Sequence, residues 1–108
     1  MTAVANALVG LHKEQFGRGP TAARAHFAGP DTLICLLEDA LLPAEQALVD
    51  MGEQQRVRDA RLFMQVATAD RFTSRIEELV GRKVHSFVSA LDPDKALAYE
   101  LFVFEPVD

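Results

Sequence analysis

The chain has little of what a disulfide framework or a nucleic-acid interface requires. Its 108 residues include one cysteine, one tyrosine and no tryptophan. A single cysteine cannot form an internal disulfide, so we expect a reducing compartment, the cytoplasm. The formal net charge of −5 argues against a broad basic surface for binding phosphates, and we expect no nucleic-acid partner.

Long hydrophobic runs are also missing. The longest apolar stretches, Leu33–Leu37 and Leu101–Phe104, have the length of strands, whereas a membrane-spanning helix needs about 20 apolar residues. The first residues lack both the basic segment and the apolar centre of a signal peptide. We therefore expect no direct insertion into a membrane.

What the chain does have is the composition of an ordinary globular protein. Hydrophobic residues make up 49% of it and charged residues 25%, a balance that excludes a disordered tail. A chain of this length buries one core and not two. We therefore expect one domain over residues 1–108.

Hydrophobic periodicity predicts three helices. The first covers residues 3–16 and ends at Gly17, and Pro43 begins a short helix over residues 44–51. A long helix follows over residues 53–80, with an apolar arc broader than one face of a small sheet requires. That arc comprises Leu62, Val66, Ala69, Thr73, Ile76 and Val80, widened by Ala60, Phe63, Met64 and Ala67.

Two β-hairpins are predicted from alternating residues around turns. The first joins residues 21–28 to 32–38, although its alanine-rich first half is also compatible with a helix; the second joins residues 84–91 to 96–105 across an Asp-Pro-Asp turn. The order α-ββ-αα-ββ predicts a two-layer α+β fold. In it, a four-stranded antiparallel sheet from the two hairpins carries the helices packed on one face.

The last predicted strand is apolar on both of its faces. A sheet covered by helices on one side leaves the residues of the other face in water, which favours a homodimer or a higher homo-oligomer. The two sets are Leu97, Tyr99, Leu101 and Val103 on one face, and Phe102 and Phe104 on the other.

The best candidate for a binding site is the GRGP corner after the first helix. Its glycines allow close backbone approach, and its arginine is suited to a carboxylate, a phosphate or a bicarbonate-like anion. The alternative is a helix cap followed by a turn, with the arginine in solvent. Two polar residues of the first strand would extend this surface on the outer face of the sheet. The candidate ligand- or partner-binding residues are Gly17, Arg18, Gly19, Pro20, Arg24 and His26.

Catalytic and metal-binding motifs are not evident. His12, His26 and His85 could converge with Cys35 or Glu38 on a metal ion, but no HxH, HExxH or CxxC spacing supports this. Scattered, partly exposed histidines and a buried structural cysteine are the favoured interpretation. We expect no catalytic residue, no metal ligand and no cofactor, and a metal-dependent enzyme is the weakest of the hypotheses.

Several segments in order resemble one bacterial family, the MpsC-like family. The combination of GRGP (17–20), LVGRKV (79–84) and the closing FVFEP (102–106) is fairly specific, and the resemblance extends over nearly the whole chain. One departure is Leu42, where the family often has a threonine that can cap the following helix.

The resemblance implies a part in a Na⁺-translocating system that generates membrane potential and is linked to inorganic-carbon supply. Ion translocation itself would belong to membrane partners, and the family offers no catalytic residues to carry over. The leading hypothesis is a non-enzymatic cytoplasmic accessory or regulatory protein that contacts a membrane transporter. The alternative is a sensor of a small anion or metabolite that binds at Arg18.

Overall fold

The computed structural model describes residues 1–107, which form three helices and four strands in the predicted order α-ββ-αα-ββ. The α+β class is therefore confirmed, and the ends of the elements differ from the predicted ones by a single residue at most. The helices are α1 (Thr2–Phe16), α2 (Pro43–Asp50) and α3 (Gln54–Val80); the strands are β1 (Ala22–Phe27), β2 (Thr32–Glu38), β3 (Val84–Asp92) and β4 (Leu97–Phe104).

The two hairpins join into one antiparallel sheet with the strand order β1-β2-β4-β3. The alanine-rich segment is a strand and not a helix, because it pairs with β2 from Ala22 opposite Glu38 to Phe27 opposite Leu33. Pairing with a neighbouring strand satisfies its backbone groups despite the weak β-propensity of alanine.

Alternation along the strands divides the sheet into two faces. On the inner face, β2 buries Leu33 and Leu37 and β4 buries Phe102 and Phe104. The helices cover this face with apolar residues of their own, and the core therefore lies between one sheet face and one helix layer. The helix residues in the core are Val4 and Leu8 of α1, and Phe72 and Ile76 of α3.

The outer face of the sheet carries a row of apolar residues that no helix or strand within residues 1–107 covers. Ile34 of β2 lies opposite Leu101 of β4, and Leu101 lies opposite Val88 of β3. Tyr99 and Val88 are 38% and 50% exposed. The apolar character of both faces of β4 is thus present in the fold, whereas the homo-oligomer inferred from it stays a prediction.

The middle of α3 also projects apolar side chains into solvent. Phe63 and Val66 are 78% and 72% exposed, and Leu62 beside them is 58% exposed. We call these three residues the α3 ridge. The 27 residues of α3 extend about 40 Å at 1.5 Å per residue, so the helix buries only part of its broad apolar arc against the sheet.

A largely buried ion pair connects α2 to α3. The Arg61 side chain donates through Nε and Nη2 to the two carboxylate oxygens of Glu45, each at 2.6 Å, and Nη2 also donates to the carbonyl oxygen of Ala40. Its guanidinium lies 4.2 Å from the centre of the Phe16 ring. The Arg61 and Glu45 side chains are only 12% and 13% exposed, so this pair is shielded from solvent.

The glycine that ends α3 adopts a left-handed conformation, with φ of 76° at Gly81. A Cβ atom there would be strained although nothing lies within 4 Å of it. We expect Gly81→Ala to lower the free energy of unfolding by about 1 kcal/mol. Gly10 lies inside α1 with equally open space, so Gly10→Ala is the matched control and should raise it by about 0.5 kcal/mol. Urea denaturation of both variants measures this, and a loss at both positions would contradict it.

Candidate functional site

Two polar side chains are buried at the centre of the core, His12 of α1 and Glu100 of β4. They are 4% and 1% exposed. The Nε2 atom of His12 lies 3.2 Å from Oε1 of Glu100, and its Nδ1 atom lies 2.9 Å from the carbonyl oxygen of Leu8. Burial of such a pair costs free energy unless its atoms are satisfied.

The contacts of His12 define where the protons lie. A carbonyl oxygen only accepts hydrogen bonds, so Nδ1 of His12 carries a proton and donates to Leu8. The approach of Nε2 to the Glu100 oxygen is favourable only with a second proton between them.

The second oxygen of Glu100 has no partner. Within residues 1–107, Oε2 of Glu100 is buried and makes no hydrogen bond. Oε2 carries no proton when the shared proton lies on Oε1 or on His12, and it can then only accept hydrogen bonds. A buried acceptor without a partner costs about 1–3 kcal/mol, and sites that hold such groups are frequently functional.

A cavity of about 340 Å³ opens beside this pair, between α3 and the inner face of the sheet. Small residues flank Glu100 in the pairing register, with Cys35 opposite it on β2 and Ser89 opposite it on β3. They leave space that larger side chains would fill. Gln65 of α3 borders the cavity and accepts the backbone N–H of Ser89 at 2.6 Å.

The walls of the cavity are mostly apolar. Phe72 and Phe87 stack with their ring centres 5.9 Å apart. The His12 and Phe72 rings are in edge-to-face contact, with their centres 5.4 Å apart. Leu62 of the α3 ridge also lines the cavity, as does the exposed Arg58. A mostly apolar concave surface with a few convergent polar groups is typical of a small-molecule site.

Cys35 is a buried structural cysteine, as predicted. It is 1% exposed, and burial together with the charge of Glu100 raises the pKa of its thiol from 9.0 to about 12. A thiol that stays protonated is a poor nucleophile.

The raised pKa of Cys35 has a consequence for stability at high pH. The thiol ionises near 9.0 in the unfolded chain and near 12 in the folded one, so this group's contribution is complete below pH 9.0 and is lost as the pH rises through that interval. We expect the free energy of unfolding to fall more steeply above pH 9.0 in the natural chain than in Cys35→Ala. Chemical denaturation from about pH 8 to about pH 11 compares the two slopes; equal slopes would contradict the prediction.

The GRGP corner connects α1 to β1. Gly17 takes the left-handed conformation that ends α1, with φ of 78°, and Pro20 is buried. Arg18 donates to the carbonyl oxygen of Leu41 and, at 2.7 Å, to the carboxylate of Asp39. Gly19 approaches Val9 so closely that a Cβ atom would lie 3.2 Å from its side chain. An anion at Arg18 would compete with Asp39, and its binding there stays a prediction.

Arg24 and His26 lie on the outer face of β1, where both are exposed. The Arg24 guanidinium is 3.6 Å from the carboxylate of Glu38, and His26 lies opposite Ile34 in the register. They therefore border the uncovered apolar row of the sheet.

The three histidines are separated in the fold. His12 is buried in the core, His26 lies on the outer face of the sheet, and His85 is exposed on β3. The expectation of partly exposed histidines is thus wrong for His12, because its ring is enclosed by the core. Within residues 1–107, no group of three or more His, Cys, Asp or Glu side chains is placed to hold a metal ion.

Glu100 is not among the site residues predicted from the sequence. A signal was present, since Glu100 alternates with Phe102 and Phe104 and therefore shares their face of the strand. A carboxylate on the core face of a strand requires a buried partner. That partner is His12, at the far end of the chain.

Comparison with known proteins identifies the family. The family model described as Na⁺-translocating membrane potential-generating system (MpsC) matches residues 2–106, and no curated protein or solved structure was found to match. Over residues 1–107 no helix has the length and apolar character needed to cross a bilayer. The chain belongs to the MpsC family, whose description links it to a Na⁺-translocating system that generates membrane potential.

Proposed function

We propose that the protein is a non-enzymatic cytoplasmic accessory protein that supports a Na⁺-translocating membrane system through protein–protein contacts. The family description supplies the link to the membrane system. The chain contributes no spanning helix within residues 1–107, so translocation belongs to other subunits in this proposal.

The observation that carries the proposal is the α3 ridge. Three large apolar side chains, Leu62, Phe63 and Val66, stand together in solvent in the middle of a 27-residue helix. Exposed apolar groups of this kind mark contacts with other proteins, and an apolar helix face fits a hydrophobic groove on a partner. The occupant that we propose is a membrane subunit of the same system. The resemblance suggests that the membrane system supported in this way takes up inorganic carbon.

Site-specific photo-crosslinking tests the proposal. A photoreactive amino acid replaces Phe63 in cells that naturally make the protein, and the same amino acid replaces Lys95 as the control. Lys95 is exposed in the turn between β3 and β4. We expect crosslinks from position 63 to a membrane transport subunit, identified by mass spectrometry, and none from position 95.

Two outcomes would contradict this role. Crosslinks from position 63 only to a second copy of the chain would make the ridge a self-association surface. Equal crosslinking from positions 63 and 95 would mean that the α3 ridge is not a specific contact. The crosslinker at Phe63 leaves the core intact, since this side chain is 78% exposed.

Self-association belongs to the same proposal. A second copy of the chain would cover the apolar row on the outer face of the sheet, which includes Ile34, Tyr99 and Val88. We expect the purified protein to sediment as a homodimer or larger at equilibrium, and a monomer at every concentration would contradict this.

A further inference from the structure

We propose that the cavity beside the His12–Glu100 pair binds a small amphipathic organic acid, namely a molecule with an N–H or O–H donor at one end and a carboxylate at the other. This inference is independent of the accessory role. It rests on the cavity, on the unpartnered oxygen of Glu100 and on the unpaired Arg58.

The base of the cavity requires a hydrogen-bond donor. Oε2 of Glu100 is buried and makes no hydrogen bond within residues 1–107, and Glu100 lies in the wall of the 340 Å³ space. A neutral hydroxyl or N–H group can donate to this oxygen without the cost of burying an ammonium ion.

A metal ion fits this position poorly. Hard cations such as Ca²⁺ take six or more oxygen ligands, and Mg²⁺ also demands six. The described part of the chain has no group of three acidic, histidine or cysteine side chains placed to hold a metal ion. A donor-bearing organic molecule needs only one acceptor, and the apolar walls stabilise the rest of it.

Arginine side chains in the lining of the cavity favour an anionic group on the ligand. Arg58 and Arg61 both line the cavity, but Arg61 already donates through Nε and Nη2 to Glu45 and Ala40. Arg58 is exposed and makes no ion pair or hydrogen bond with another side chain in residues 1–107. Its guanidinium is therefore available for bidentate contact with a carboxylate. Between the two ends, the Phe72 and Phe87 rings and Leu62 provide a surface for an apolar body.

Three matched probes test the proposal in the natural chain. 4-Hydroxybenzoate has both the donor and the carboxylate, 4-methoxybenzoate lacks the donor, and phenol lacks the carboxylate. Amide signals of Gln65, Ser89 and Ala98 report on the cavity by NMR, and Gly52 lies outside its lining and serves as the reference. We expect 4-hydroxybenzoate to bind about tenfold more tightly than either incomplete probe, the effect of one lost hydrogen bond to a charged or buried group.

Two variants assign the contacts. Arg58→Ala changes an exposed side chain and should weaken 4-hydroxybenzoate about tenfold while leaving phenol unchanged. His12→Leu with Glu100→Leu makes the base of the cavity apolar and should abolish the preference for 4-hydroxybenzoate over 4-methoxybenzoate. The proposal is overturned if none of the probes shifts the cavity signals, or if both variants bind 4-hydroxybenzoate as the natural chain does.

Discussion

We expect replacement of His12 with leucine to lower the free energy of unfolding by about 3 kcal/mol, because it leaves Glu100 buried with neither oxygen paired. Glu100 is 1% exposed and the structure offers its Oε2 atom no alternative donor among residues 1–107. The leucine side chain is close in size to the histidine ring and joins an apolar surrounding, so lost packing is a minor part of the effect. Urea denaturation monitored by circular dichroism measures the change.

The double variant His12→Leu with Glu100→Leu is the control for this result. It removes both members of the pair and the unpartnered oxygen together, and we expect its stability to equal or exceed that of the natural chain. A cycle of the two single variants and the double variant isolates the interaction between the residues. If the double variant is less stable than His12→Leu alone, then the pair is not an isolated polar element within an apolar core.

We also expect Arg61→Ala to lower the free energy of unfolding by about 3 kcal/mol. The substitution leaves the Glu45 carboxylate, which is 13% exposed, without its cation, and the Ala40 carbonyl oxygen without its donor. It also removes the guanidinium from the face of the Phe16 ring. Because this ion pair is shielded from solvent, the loss should persist in high salt.

Arg58→Ala is the matched control for Arg61→Ala. Arg58 lies in the same helix, is exposed and has no ion-pair partner in the described residues, so its loss should change the free energy of unfolding by less than about 0.5 kcal/mol. Denaturation curves of both variants at low and high salt measure the contrast. Similar effects of the two substitutions would mean that the Arg61–Glu45 contact contributes little in solution.

The secondary structure could be predicted from the sequence because its signals are local. Gly17 and Gly81 mark helix ends where the chain turns left-handed, and Asp92 accepts the backbone N–H groups of the turn that follows it. The apolar residues on both faces of β4 and the broad apolar arc of α3 also predicted apolar surfaces outside the core. These patterns depend on residues a few positions apart.

The candidate site could be predicted only in part. The GRGP corner was predicted as a site because its glycines allow close backbone approach and its arginine suits an anion, but Arg18 donates to Asp39 and Leu41 in the folded chain. His12 looked like a polar residue of a surface helix, and Glu100 like one acid among many. Neither residue alone indicates burial against the other, since the two are far apart in sequence.

The sequence by itself determined the order of helices and strands, the two hairpins and the family. Only the tertiary structure decided how the hairpins join, and the pairing of β2 with β4 brings Cys35 beside Glu100. Packing of α1 over that sheet then buries His12 against the same carboxylate. The physical reason is that periodicity and turn chemistry act within a short segment, whereas a buried polar pair and its cavity exist only once distant segments share one core.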